Sequence, residues 1–268
     1  MIMAFLVPYV QQKGYIPIAE IGKGDTTSLN LGLLFLESGE GFQGTTEGTE
    51  TGLLIMTGRC TVKGDGFEFS DIGARENVFG GKPYAVYLPP GVSYSVETPS
   101  WVEIAICSTP SDSKRSPGLV TPNEVIYRSL GRLHWRRDVH YIIEPRINSD
   151  TLRIGEVVYP PGHWSLPPHC HDTVEEIYHY RTRTEGGFGL QLVYTDDRTV
   201  DEHYIVKNYD TVVIPKGYHP VGTSPGDSLY ILWTMAPPEE TLPLISKPDP
   251  RYAWADVCEA MVRELTMK

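Results

Sequence analysis

Glycine and proline interrupt this chain so often that, outside one terminal stretch, a long helix has little room. The 26 glycines and 22 prolines leave runs such as "TGLLIM", "YAVYLPP", "VEIAIC", "LRIGEVVY", "EEIYHY", "LQLVYT", "TVVIP" and "LYILWTM". These runs are short, rich in β-branched and aromatic residues, and bounded by turn formers. Such a pattern predicts an all-β fold, a sandwich or barrel. The end of the chain differs: "DPRYAWADVCEAMVRELTMK" places Ala253, Val257, Met261 and Leu265 near a four-residue repeat, which predicts a short amphipathic C-terminal helix.

The runs also repeat. "KPYAVYLPPGVSYSVETPSWVEIAICSTPS" reads as strand, Pro-x-Gly turn, strand, turn, strand, and "KNYDTVVIPKGYHPVGTSPGDSLYILWTMAPP" reads the same way. Upstream, "GLLIMTGRCTVKGDG" and "EEIYHYRTRTEGGFGLQLVYT" are a second matching pair. The echo predicts two similar β-domains in tandem, residues 1–115 and 116–268. The polar, Pro-containing "DSKRSPGLVTP" (112–122) has a linker's composition, and "RLHWRRDVHYII" leads back into the second domain.

Composition narrows the partners. With 40% hydrophobic and 21% charged residues among 268, the chain reads as an ordinary globular protein with no apolar run of membrane-spanning length. The opening "MIMAFLVPYV" lacks a basic leader and reads as a buried first strand rather than a secretory signal. A net charge of −11 argues against nucleic-acid or anionic-membrane surfaces and for a small-molecule partner. Cys60, Cys107, Cys170 and Cys258 form no CxxC pair, so neither a disulfide framework nor a cysteine zinc site is expected, and a reducing cytoplasm fits. Cys170 stands between two histidines, with its thiol expected to point away from them.

Those histidines carry the chemistry. In "PPHCHDTVEEIYHYR", His169 and His171 share parity, so on an extended segment both imidazoles project from one face, about 6–7 Å apart along the strand. The turn-like "HDT" can reset the phase before the next strand, so counting alone does not choose between Glu175 and Glu176. If the strand begins at Glu175, then Glu176, Tyr178 and Tyr180 share one face, and Glu175, Ile177, His179 and Arg181 the other. Downstream, "IPKGYHPV" places His219 just after a tight turn. Imidazoles with one carboxylate and open positions suit Zn²⁺ or Mn²⁺ foremost, with Fe²⁺ or Ni²⁺ compatible.

The arrangement HxHxxxxE followed by PxGxH resembles the two metal motifs of the cupin superfamily. The longer strings "PPHCHD", "EEIYHYR", "GFGLQLVYTDDRTVDEHYIVKN" and "DTVVIPKGYHPV", with "GARENVF" and "YLPPGVSY" in the first half, resemble its sugar-uronate isomerase branch, in particular the 5-deoxyglucuronate isomerase family. The resemblance covers most of the chain. It implies a bicupin of two tandem β-barrel or jelly-roll domains, and a metal held by His169, His171, Glu176 and His219. The first domain, with no histidine and with Ser93 or Tyr94 where the second has His219, is implied to be a degenerate cupin without metal. The implied reaction converts 5-deoxy-D-glucuronate to 5-dehydro-2-deoxy-D-gluconate in myo-inositol degradation, an aldose–ketose isomerisation in which a Lewis acid stabilises a developing oxyanion.

Candidates for the proton carrier are then Glu175, His163, His179 and Tyr178. Arg181, Arg183 and Arg198 are candidates for the substrate carboxylate, although each alone is more often a solvated or paired residue, and "TDDR" around Arg198 looks foremost like a hairpin turn. Gln191 divides evenly between a pocket role and an edge position. His134, His140 and His203 are expected to be structural. Two positions depart from the family's pattern: His163, where asparagine is usual, and Trp233, where a small polar residue is usual and a large indole would reshape the sugar site. The alternatives are an isomerase of another uronate, a non-catalytic sugar-acid-binding bicupin and an iron-dependent oxygenase. A homo-oligomer is expected, with neither nucleic acid nor membrane as partner.

Overall fold

The computed structural model describes residues 5–23, 26–171, 174–238, 244 and 246–266. In chain order the first half contributes β1 (Phe5–Val7), β2 (Gly14–Ala19), β3 (Asn30–Leu36), β4 (Gly41–Thr45), β5 (Thr49–Gly58), β6 (Cys60–Gly64), β7 (Phe67–Ile72), β8 (Tyr84–Leu88), β9 (Ser93–Glu97), β10 (Val102–Pro110) and β11 (Gly118–Val120). The second contributes β12 (Ile126–Leu130), β13 (Arg137–Ile143), β14 (Arg153–Tyr159), β15 (His169–Cys170), β16 (Glu176–Thr182), β17 (Gly189–Tyr194), β18 (Asp201–Val206), β19 (Thr211–Ile214), β20 (Val221–Thr223), β21 (Leu229–Met235) and β22 (Lys247–Pro248), followed by α1 (Trp254–Thr266). Every apolar run singled out in the sequence lies on one of these strands.

Each half is a sandwich of open sheets that do not close into barrels. In the first, the sheet β11-β8-β5-β10-β3-β2 faces the smaller β4-β9-β6-β7. In the second, β1-β19-β16-β21-β14-β13-β12 faces β18-β17-β20 and the short pair β15-β22. Strand alternation then builds three apolar layers. Leu34, Leu53, Ile55, Val86 and Ile104 fill the first sandwich. Val157, Tyr180, Val212, Ile231 and Trp233 sit inside the second. The opposite faces of the two large sheets meet, so that Leu31, Leu33, Leu54 and Tyr87 pack on Ile154, Ile177, Tyr230 and Leu232.

The halves are cross-linked in two ways that local sequence does not display. First, β1 pairs antiparallel with β19 of the second half, and β11, within the stretch expected to be a linker, pairs with β8. Second, a glutamate of each half grips a turn of the other. Glu175 accepts from the backbone N–H groups of Thr27, Ser28 and Leu29 and from the Thr27 hydroxyl, at 2.8–3.0 Å. Glu50 accepts from the N–H groups of Asp150, Thr151 and Leu152 and from the Thr151 hydroxyl, at 2.8–3.0 Å. Their near-repeat contexts "TETGLL" and "VEEIYH" make the two clamps counterparts.

The expected amphipathic C-terminal helix is present, beginning at Trp254, one residue beyond Ala253. Its apolar residues Val257, Met261 and Leu265 are 60–72% exposed, so that face does not pack on the core. No disulfide joins the four cysteines. Among the described residues no helix is long and apolar enough to cross a membrane.

Candidate metal centre

The centre lies inside the second sandwich, where three separate segments converge. His169 opens β15, held against Pro248 of β22, and His171 follows as the chain leaves that strand. Residues 172 and 173 of the expected "HDT" phase reset lie outside the described residues. The strand β16 then begins at Glu176, and its two faces separate as alternation requires. Glu176 and Tyr178 turn toward the histidines, while Ile177 packs in the seam between the halves. His219 arrives from the Pro-x-Gly turn, whose Gly217 has φ +100° and packs so closely on the Tyr194 carbonyl that an added Cβ would lie 2.7 Å from that oxygen. Only glycine takes both that backbone and that contact at low cost. The His219 N–H donates to the His169 carbonyl (3.3 Å), which joins the two motifs directly.

The ligand atoms of His169, His171 and His219 all lie within 4.8 Å of one another. Glu176 Oε1 is 3.2 Å from His171 Nε2, and its Oε2 is 3.4 Å from His219 Nε2. Donors bound to one ion at about 2.0–2.2 Å stand roughly 3–3.5 Å apart, so the two glutamate–histidine separations fit a shared cation, and the three histidines need draw in only slightly to join it. A second sign is independent of spacing. Glu176 Oε2 and His219 Nε2 are buried and neither has a hydrogen-bond partner, a costly state for polar atoms unless something else satisfies them. The tautomer agrees: His219 Nδ1 lies 2.8 Å from the Gly217 carbonyl, which can only accept, so Nδ1 carries the proton and Nε2 offers its lone pair.

Protonation points the same way. Burial, reinforced by the neighbouring His219, lowers His169 to about 3, and burial also lowers His219. For Glu176 burial pushes upward, but the adjacent His219 and His171 prevail and hold it at about 2. Neutral imidazoles around an ionised carboxylate are the forms a divalent metal binds.

A cavity of about 280 Å³ opens onto this cluster. Its wall includes Tyr178, Tyr141, Tyr159, Arg137, Arg153 and Trp233. Burial, then the Glu176 charge, raises Tyr178 well above an ordinary phenol, so it stays protonated. The Trp233 indole lies across Gly155, where an added Cβ would stand 2.1 Å from its Cζ2, and the Arg153 guanidinium sits 5.6 Å from the indole centroid. Gly155 therefore makes the space that this large residue occupies.

Other sequence candidates lie elsewhere. Glu175 is consumed by the clamp on residues 27–29. His179 is fully buried on the seam face of β16, with Nδ1 2.9 Å from Thr211 Oγ1. His163 caps its own turn, Nδ1 2.9 Å from the Pro161 carbonyl. Gln191 is satisfied inside the sandwich by Tyr180 and by the Leu192 and Pro220 carbonyls. Arg198 is an exposed hairpin residue donating to Asp201 (2.6 Å). Arg181 and Arg183 line a different cavity. Of the four proton-carrier candidates only Tyr178 reaches the metal cavity, and of the substrate-binding candidates only Trp233 does.

Arg137, Tyr141, Arg153 and Tyr159 are wall residues that sequence reasoning passed over. Arg137, Val139 and Tyr141 alternate along "RDVHYII", so the stretch expected to lead the chain back into the second domain is itself a strand, β13. Arg137 donates Nη1 to the Trp135 carbonyl (3.2 Å) and forms no ion pair with a carboxylate among the described residues.

Known proteins resemble this chain over most of its length. The KduI/IolB family model matches residues 6–255. A 5-deoxy-glucuronate isomerase from Geobacillus kaustophilus is 37% identical over 224 residues, covering 80% of this chain and 81% of its own. An IolB-like protein from Salmonella typhimurium superposes with a TM-score of 0.88 at 32% identity, over 94% of this chain and 98% of that one. An oxalate decarboxylase from Lactobacillus farciminis, 11% identical with a TM-score of 0.65 over 92% of this chain and 88% of its own, shows the shared tandem jelly-roll fold alone.

Proposed function

Because the chain belongs to the KduI/IolB family, we propose that it is a metal-dependent isomerase that converts 5-deoxy-D-glucuronate to 5-dehydro-2-deoxy-D-gluconate in the cavity above the histidine cluster. The observation that carries the metal is the converging donor set with two orphaned buried atoms, Glu176 Oε2 and His219 Nε2. His169, His171, Glu176 and His219 would hold one divalent ion, Zn²⁺ or Mn²⁺ by their chemistry. Such an ion supplies Lewis-acid stabilisation of the charge that develops on the sugar's oxygens as a proton moves between adjacent carbons.

The remaining work falls to side chains. Arg137, on the cavity wall without a carboxylate partner among the described residues, binds the substrate carboxylate and sets which end of the sugar faces the cluster. Tyr178, held protonated beside Glu176, donates to the sugar oxygen on which charge builds. Trp233, Met235 and Leu130 line the wall with apolar surface and exclude water from the reacting carbons. The indole limits the cavity to a small sugar, which suits a substrate lacking one hydroxyl. A homo-oligomer in the cytoplasm remains the expected setting.

The test is anaerobic incubation of metal-analysed protein with 5-deoxyglucuronate, followed by NMR. Appearance of the ketose, and its loss in His169→Ala, supports the reading. Oxygen consumption coupled to turnover would replace the isomerase with an oxygenase. Binding of the sugar acid without conversion by metal-loaded protein would leave a binding protein.

A further inference from the structure

The strand that brings Glu176 to the metal centre carries Arg181, and the bend just after it carries Arg183, to a second cavity, of about 480 Å³, in the seam between the halves. Arg181 is 5% exposed and its guanidinium carbon lies 3.6 Å from the centroid of the Tyr209 ring. One end of the guanidinium, Nη2, binds Glu103 of β10. The other end, Nη1, is buried and has no hydrogen-bond partner. Thr57 of β5, the cross-strand neighbour of Glu103, lines the same cavity and its Oγ1 is likewise buried without a partner. Arg183 lies over Phe79 at 4.5 Å and forms no ion pair among the described residues. Asn77, Asn208 and Gln11 complete a polar rim, with Glu76 at the exposed side.

A buried guanidinium N–H and a buried hydroxyl without partners are each expensive, and both belong to residues that line one cavity. The pair states what would satisfy them: an anionic acceptor for Arg181 Nη1 and a hydroxyl-bearing body for Thr57 and the amide rim. Arg181 is already neutralised by Glu103, so Arg183 supplies the charge that attracts the anion. The flat faces of Phe79 and Tyr209 are covered by the guanidinium groups, which leaves edges and polar atoms rather than a platform for a large aromatic ligand. We propose that this seam cavity is a second binding site, for a small hydroxylated carboxylate, held by Arg181 and Arg183 and oriented by Thr57. It stands on the opposite face of β16 from the metal centre and does not depend on which reaction that centre performs.

The probe is D-gluconate, a hydroxylated carboxylate with no carbonyl to isomerise, titrated calorimetrically into the full chain. The Arg137→Met variant, which removes the one wall cation of the metal cavity that lacks a carboxylate partner among the described residues (Arg153 is paired with Glu144), should still bind one equivalent. Adding Arg183→Met to it should weaken that binding at least tenfold. Because Arg183 is exposed and outside the metal cavity, Arg183→Met alone should unfold at the parental temperature and keep its turnover. Thr57→Val should weaken gluconate several-fold while leaving the melting temperature equal or higher, since it deletes an unsatisfied buried hydroxyl. D-glucitol, which lacks the carboxylate, should bind at least tenfold more weakly than gluconate. The proposal is overturned if Arg137→Met abolishes all gluconate binding, if binding survives Arg183→Met unchanged, or if inorganic phosphate competes as well as gluconate. Loss of isomerase activity in the test of the metal centre would leave these outcomes untouched.

Discussion

Substituting Glu175 by glutamine separates a structural from a chemical role for this residue. Adjacent to Glu176 and within a metal motif, Glu175 was a reasonable proton carrier by sequence. Its carboxylate is instead 6% exposed and accepts three backbone N–H groups and one hydroxyl from Thr27, Ser28 and Leu29. In Glu175→Gln one oxygen becomes an NH₂ group facing those donors, so about two of the contacts lose their acceptor. A hydrogen bond to a charged group contributes roughly 1.5–3 kcal/mol net, which puts the loss at about 3 kcal/mol or more. For a chain of this size each kcal/mol moves the melting temperature by about 2–4 °C, so a drop of roughly 6–12 °C is expected.

The assay is thermal and urea unfolding followed by circular dichroism, with turnover measured well below the new midpoint. Folded Glu175→Gln should retain the parental kcat. The counterpart Glu50→Gln, in the half without histidines, should lose a similar amount, since Glu50 makes the matching contacts to residues 150–152. The reasoning is refuted if Glu175→Gln melts at the parental temperature yet turns over a hundredfold more slowly. That result would return Glu175 to the chemistry.

Arg137→Met should raise KM for the sugar acid about thirtyfold, as expected for losing roughly 2 kcal/mol of charge-assisted binding, with unchanged unfolding; steady-state kinetics and circular dichroism check it. Glu176→Gln should keep the fold but lower metal retained after dialysis at least tenfold by elemental analysis, and equal retention would remove Glu176 from the ligand set. For Glu156, burial pushes the carboxyl upward but Arg75 and His140 outweigh it, so its folded value lies below the ordinary glutamate value of 4.5. A depressed carboxyl stabilises the fold above its unfolded value, and that contribution disappears as pH falls through the folded value. Urea midpoints should therefore fall below about pH 4.5, and Glu156→Gln, less stable at pH 7, should show a shallower acid decline.

What the sequence displayed and what it hid divide along one physical line. Strand runs, turns and the spacing of His169, His171 and His219 are local properties, set by alternation and by the residues a tight turn tolerates, and they could be read directly. Pairings between segments far apart in the chain could not: nothing in "FLV" announces β19, and nothing in "GLV" announces β8. The arginines lie between these cases, because alternation already contained part of their answer. Arg181 is five residues from Glu176 on the uninterrupted strand Glu176–Thr182, and an odd separation puts the two side chains on opposite faces. Once Glu176 is taken as a metal ligand, the same parity that turns His179 into the seam also removes Arg181 from the sugar cavity. Arg153, Val157 and Tyr159 share a face of β14 and reach that cavity together, as do Arg137, Val139 and Tyr141 on β13. The cation proposed for the carboxylate was therefore to be sought at even spacing on other strands of the same sheet, a rule that leads to Arg137 on β13 and Arg153 on β14, of which only Arg137 lacks a carboxylate partner among the described residues, and away from every arginine in "EEIYHYRTR".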